Sequence, residues 1–487
     1  MKPVLIVLSF FLASQYVTAS VFFCYWGSWS YYRSGDGKFS VEQIDPNMCT
    51  HIVYSFAKLD NGVIAASDAY LDLTDDSGLG MYSKLNDLKT VNPKLKTLIA
   101  IGGWNEGSLK YSSMASTPEG RKKFVDSVVL FLEKHGFDGL DVDWEYPANR
   151  GGATQDKANF ALLLSELRGA LDSKSRMLTA AVSAGQATID TAYDVPGLSK
   201  YLHFINLMTY DFFGSWNPYT GHNSPLKARQ NAPETEEMLN VESSVKYWIA
   251  KGADPRKLTL GLPLYGRTFV LADPANDGFG APTTGPGPAG PITQQPGSLG
   301  YNEICTMLGA GGWKITRDPN VVAPVAVKDK LWIGYDDVGS LKAKVNFAQT
   351  LGLGGVMTWS IETDDFNGKC HGTKNPLLTA IHGALAGGEV TVKPIVTSKP
   401  SSVSSTQVSK TTTTTSKSQI TSTTTTTKAP SSSTEWKCPG EGFYANPKDK
   451  TKFYRCVLNA TGGFDAISFD CPLGTVFNEE YDVCTFP

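Results

Sequence analysis

The 487 residues contain no Cys-x-x-Cys pair, no extended run of lysine and arginine and, past residue 20, no apolar stretch long enough to span a bilayer. The first absence argues against a zinc site. The second, with a formal net charge of −3, removes nucleic acid from the expected partners. The third removes the membrane. Aromatic residues, in contrast, make up 11% of the chain. An aromatic-rich chain without strong charge fits a neutral ligand such as a sugar better than a polyanion.

The opening MKPVLIVLSFFLASQYVTAS has one early lysine, a short apolar core and Val17-Thr18-Ala19 before a cut. This is the pattern of a secretory signal peptide, residues 1–20, rather than of an anchor. An extracellular, monomeric protein is expected. Eight cysteines, at 24, 49, 305, 370, 438, 456, 471 and 484, favour disulfides in an exported chain. The last four crowd the C-terminal end and predict a small cross-linked module at 435–487. Before it, residues 391–434 contain KTTTTTSKSQITSTTTTTKAPSSST and almost no large apolar groups. Such a stretch cannot bury enough surface to offset its ordering entropy, so it reads as an extended Ser/Thr-rich linker bearing O-linked glycans.

The body, residues 21–390, alternates short apolar runs with helical patterns. The runs are 21–26, 51–57, 96–103, 137–146, 177–184, 204–211, 257–266 and 354–362. Between the third and fourth, Thr117 caps a helix, Pro118 suits its first turn and Gly136 ends it. NFALLLSELRGAL (159–171) predicts a second helix. Eight near-continuous apolar runs with helices between them indicate parallel strands buried on both faces. The fold class predicted is α/β, a (β/α)8 barrel. About ninety residues, rich in Gly and Pro, separate the last two runs. Residues 268–338 therefore read as an inserted α+β subdomain walling the C-terminal face.

The segment DGLDVDWEYP (138–147) places carboxylates inside an apolar run. Alternate strand residues share a face with Cα atoms about 6.7 Å apart. Asp141, Asp143 and Glu145 then form one row, opposite Leu140, Val142 and Trp144. A row facing the barrel interior climbs to the end where active sites of this fold sit. Like charges so close and partly removed from water retain at least one proton near neutral pH. Glu145, outermost and longest, is the candidate general acid. Asp143 tunes and orients it, Asp141 shares the buried proton, and Asp138 starts the strand as a structural group. The alternatives are buried aspartates satisfied by neighbouring strands and a Ca²⁺ or Mg²⁺ site.

DGLDVDWEYP resembles the DxxDxDxE signature of family 18 glycoside hydrolases, the chitinases. CYWGSWSYYR (24–33), THIVYSFA (50–57), IGGWN (101–105), NLMTYDFFGSW (206–216), LPLYGRTF (262–269) and GGVMTWSIETDDF (354–366) resemble that family's strand-end motifs in order. The resemblance implies hydrolysis of β-1,4 bonds between N-acetylglucosamine units with retention, the substrate's own acetamido oxygen acting as nucleophile. It implies no cofactor and no metal, and chitin and chito-oligosaccharides as partners.

By the same resemblance, Tyr210 bonds the acetamido oxygen and Asp211 lies near the same sugar. Tyr265 and Arg267 contact neighbouring subsites, and Met208 and Met357 line the cleft floor. Trp359 is the platform under the distorted sugar, with Trp29, Trp104 and Trp216 along the cleft. Indole stacking suits the flat C–H face of a pyranose. Tyr25, Asn105 and Phe56 join the substrate-binding set through their motifs, although Phe56 by its own position reads as core. The implied bridges are Cys24–Cys49 and Cys305–Cys370.

The tail, with CPGEGFYANP (438–447), KFYRC (452–456) and CPLGTVFN (471–478), resembles a peritrophin-type chitin-binding domain. It has four cysteines where that family has six. The two missing positions pair with each other in the family, and for the remaining four the resemblance implies Cys438–Cys456 and Cys471–Cys484. Asn459-Ala460-Thr461 is a glycosylation sequon.

Overall fold

The computed structural model describes residues 20–388, residue 395 and, between 437 and 485, the segments 437–439, 442–458, 463–470, 476–478 and 483–485. The chain divides into two compact units, residues 1–402 and 403–487.

Eight parallel strands build the first unit: β1 (Val21–Gly27), β2 (His51–Asp60), β3 (Lys96–Gly102), β4 (Gly139–Asp143), β5 (Met177–Ser183), β6 (Phe204–Met208), β7 (Leu258–Pro263) and β8 (Gly355–Trp359). Each pairs with the next, and β8 pairs back to β1, so the sheet closes into the expected barrel. Alternation sorts the side chains. Phe23, Tyr25, Val53, Leu98, Ala100 and Met357 cluster inside the barrel. Phe22, Cys24, Leu140, Val142 and Trp144 join the larger layer between strands and helices. Helix Pro118–His135 begins as the sequence predicts, with Thr117 Oγ1 accepting from the Gly120 amide at 3.0 Å, and ends at left-handed Gly136. The second helix spans Asp156–Asp172, starting a turn before the apolar stripe.

The insert begins at Tyr265 rather than 268, because the strand Tyr265–Leu271 follows β7 almost directly. It pairs with Thr283–Pro286, Ser298–Gly300 and Leu331–Gly334, and the sheet continues through Pro324–Lys328 to Lys314–Arg317. Helix Tyr301–Gly309 carries Cys305, which is bridged to Cys370. Cys24–Cys49 ties β1 to the approach of β2.

In the second unit, Gly442–Ala445, Lys452–Leu458 and Phe464–Asp470 form an antiparallel sheet, and Val476–Asn478 pairs with Val483–Thr485. Cys438–Cys456 forms as expected. The expected Cys471–Cys484 bridge, Asn459, residues 1–19 of the expected signal peptide and the expected linker apart from residue 395 lie outside the described residues. No helix among the described residues is long and apolar enough to cross a membrane.

Candidate active site

The carboxylate row starts at Asp141, midway along β4. Asp141 is fully buried, and its oxygens accept from Tyr25 at 2.8 Å, Thr179 at 2.5 Å and Asn206 at 3.1 Å. Asn206 also donates to the Tyr25 hydroxyl, and its own oxygen accepts from Thr259. Burial pushes the Asp141 carboxyl up to about 6 against the pull of these three hydrogen bonds. A shell of donors holds a carboxylate and competes with a cation for its oxygens.

Asp143, one step up the same face, is buried, and its Oδ1 has no hydrogen-bond partner. Burial raises its carboxyl well above the usual range, and the charges of Glu145 and Asp141 add to the rise. The close approach of β3 is needed here: the Gly103 amide donates to Asp143 O at 2.8 Å, and a Cβ on Gly102 would stand 2.0 Å from that oxygen.

The expectation of one strand carrying all three acids needs correction. β4 ends at Asp143, where its pairing with β3 runs out, so Glu145 sits on the connection just beyond. It nonetheless stays buried beside Asp143. Burial drives it up to about 7; the Tyr146 hydrogen bond and the Arg150 charge pull down, while the Asp211 charge pushes up. Trp144, between the two acids, turns outward, and its Nε1 donates to Ser108 at 2.6 Å. Asp138 is an anchor in the wall, held by Lys89, Lys96 and the Thr97 amide.

Tyr210 follows β6, and its hydroxyl lies 3.8 Å from the Met357 sulfur. Burial first, then the charges of neighbouring groups that include Asp143 and Glu145, raises its phenol. Asp211, at a left-handed φ of 58°, accepts from Tyr265 and Arg267 at 2.7 Å each. The Arg267 guanidinium stands 5.1 Å from the Trp216 ring centre. The insert therefore clasps the loop after β6 through these two residues.

Trp359, Trp29 and Phe56 form a cluster, with ring centres 5.7 to 6.2 Å apart. Phe56 is half-buried there: it packs against the inner barrel cluster and also joins this aromatic wall. Tyr25 moves the other way: it is buried with its hydroxyl on Asp141, which makes it part of the carboxylate network and not of a sugar-facing wall. Met357 is fully buried and Met208 half-buried. Trp29, Trp104 and Trp216 are 43%, 59% and 58% exposed, unusual for indoles, and Asn105 is exposed beside Trp104.

Residues 21–364 match the family described as Glycosyl hydrolases family 18. The chain belongs to that family. Residues 438–487 match Chitin binding Peritrophin-A domain, so the family 18 barrel here is joined to a chitin-binding module of that type. Among family 18 relatives, mouse chitotriosidase-1 is 37% identical over 490 residues, covering 98% of this chain and 97% of its own. The group IV chitinase of Ostrinia furnacalis, solved in complex with allosamidin, is 43% identical, covers 76% of this chain and 100% of its own, and superposes with a TM-score of 0.74. Human YKL-39, described as a pseudo-chitinase with retained chitooligosaccharide binding, is 43% identical over 76% of this chain and 100% of its own, with a TM-score of 0.71.

Sequence reasoning missed the groups that hold the acids. Thr179, Asn206 and Thr259 build the polar layer around Asp141, and Asn206 carried a signal as the one strongly polar residue in FINLM. Asn223 also escaped notice: it accepts from the Asp211 amide at 3.0 Å and donates to Tyr265 O at 3.2 Å. Glu362 likewise accepts from Ser360 and the Gly27 amide, joining the ends of β8 and β1.

Proposed function

We propose that this protein is a secreted, monomeric chitinase that hydrolyses β-1,4-N-acetylglucosamine linkages with retention, by substrate assistance. The observation that carries the reading is the pair Asp143 and Glu145. The second is poised to hold a proton near neutral pH, and the first keeps a buried oxygen free for a donor.

In the proposed first step, Glu145 gives its proton to the glycosidic oxygen as the bond to the anomeric carbon breaks. The acetamido oxygen of the same sugar bonds to that carbon, and Asp143 accepts the acetamido N–H and balances the oxazolinium charge. Tyr210 donates to the acetamido oxygen and orients it. Glu145, now ionised, takes a proton from the water that opens the ring from the same face. Asp143 and Glu145 approach from one side of the site, whereas a protein nucleophile has to stand on the sugar face opposite the acid. That arrangement favours the substrate's own oxygen over a carboxylate as the attacking group.

Trp359, Trp29, Phe56, Trp104 and Trp216 supply flat surfaces for successive sugars, and no cofactor or metal enters the scheme. The tail and linker keep the barrel near insoluble polymer by raising its effective concentration there. Likeness to a pseudo-chitinase gives the second reading, a lectin that binds without cutting. The presence of Glu145, Asp143, Asp141 and Tyr210 together favours the enzyme.

Incubation with the N-acetylglucosamine hexamer, with products followed by anomer-resolving NMR, tests the proposal. Cleavage giving first the β-anomer, unaffected by exhaustive chelation, is expected. A folded protein that binds the hexamer and leaves it intact would establish the lectin.

A further inference from the structure

Arg150 lies five residues past Glu145, in the loop before helix Asp156–Asp172, and its side chain is exposed. Burial does not force its contacts, yet it makes three. The guanidinium carbon stands 3.7 Å from the Trp104 ring centre. The Nη1 group donates to Trp104 O at 2.8 Å and to Glu145 O at 3.1 Å. Its backbone holds φ at 51°, a region that disfavours every side chain beyond glycine and that gathers at functional loops.

Trp104 needs such support. It sits on a single turn, Trp104–Glu106, between Gly103 and Gly107, whose φ values of 86° and 66° lie in the region that glycine adopts most readily. With 59% of its surface exposed, the indole has no core packing to hold it. The guanidinium covers one face, by a cation–π contact reinforced by the two carbonyl bonds. The other face is left for a ligand.

We infer that Arg150 is a positioning residue: it clamps Trp104 as a sugar platform and registers that platform to the acid through the Glu145 carbonyl. The same cation also bears on Glu145 itself. Neighbours that interact with Glu145 include Asp143, Tyr146, Tyr193, Tyr210, Asp211 and Arg150, and Arg150 is the positive one among these. It opposes the upward push of burial and of the neighbouring carboxylates.

The pH part of this inference rests on Glu145 being the acid; the platform part rests only on sugar binding. The two are measured separately. In the Glu145→Gln background, Arg150→Ala is expected to weaken hexamer binding by roughly threefold to tenfold, read by titration calorimetry and tryptophan fluorescence, with the melting temperature unchanged. Arg150→Lys is expected to bind as poorly, because an ammonium cannot stack flat and reach both carbonyls. In the active protein, Arg150→Ala should raise KM and move the alkaline limb of the rate profile up by about half a pH unit, whereas Arg150→Lys keeps the limb in place. Hexamer affinity within twofold of the parent in Arg150→Ala, full affinity in Arg150→Lys, or loss of affinity in step with melting temperature would each overturn the clamp. A protein with no turnover refutes the hydrolytic reading, and the binding measurements then decide the clamp alone.

Discussion

Asp141 and Asp143 lie on the same face of one strand, yet Tyr25 closes its phenol on the first at 2.8 Å while the Oδ1 of the second is buried without a partner. An unsatisfied buried acceptor costs about 1–3 kcal/mol, so an incoming N–H in that place recovers what folding gave up. The lower carboxylate is built into a hydrogen-bond network, and the upper one keeps a buried oxygen unpaired.

Asp143→Asn is therefore expected to separate stability from activity. It removes a buried ionisable group whose charge burial, Glu145 and Asp141 all disfavour, so the melting temperature should rise or hold. Turnover of the hexamer should fall by roughly a hundredfold or more, since a neutral amide does not balance the oxazolinium charge. Undiminished turnover would remove Asp143 from the mechanism.

The Glu145 carboxyl, raised from 4.5 to about 7, sets a pH dependence with a definite sign. The folded state holds this proton where the unfolded chain has already lost it. Its stabilising contribution is complete below about 4.5 and declines as pH rises through 7. The proposed mechanism needs the protonated form first, so kcat/KM should fall above about pH 7. Glu145→Gln should abolish turnover, preserve sugar binding and flatten the stability curve over the same interval. A rate still climbing past pH 8 would contradict the assignment.

Tyr25→Phe deletes the donor to Asp141 and the acceptor for Asn206 Nδ2 in a dry interior. A loss of about 1–3 kcal/mol in urea-induced unfolding is expected. If Tyr25 instead faced substrate, the change would appear in KM with stability intact.

Cys305–Cys370 spans 65 residues and links the insert's helix to the chain after β8. By loop-closure entropy its removal in a double Cys→Ser variant costs about 4 kcal/mol. Thermal unfolding should show the loss, and proteolysis should cut first within the insert.

Deleting 435–487 should mainly reduce action on solid chitin, measured as soluble sugar released from a suspension. Hydrolysis of the hexamer should stay unchanged. Equal losses on both substrates would count against a tethering role for the tail.

The barrel was legible because its signal is local and repeated: eight apolar runs whose residues alternate between an inner cluster and the helical layer. The placement of Asp141 and Asp143 on one side, with Leu140 and Val142 on the other, follows from the two-residue period of an extended chain. The end of β4 at Asp143 was not legible, since a strand stops where its neighbours stop pairing, and those neighbours lie far off in the chain.

Within the site the same division holds. Residue types and their spacing along single segments determined which acids, indoles and tyrosines stand at strand ends, because neighbours in the chain govern each other's backbone directly. Barrel closure alone decided that Tyr25, Thr179 and Asn206, at 116, 38 and 65 residues' separation, meet on Asp141. It also decided that Phe56 joins the aromatic wall with Trp359 and that Arg150 folds back over Trp104. Such contacts depend on how eight strands stagger around one axis, and no window of sequence contains that geometry.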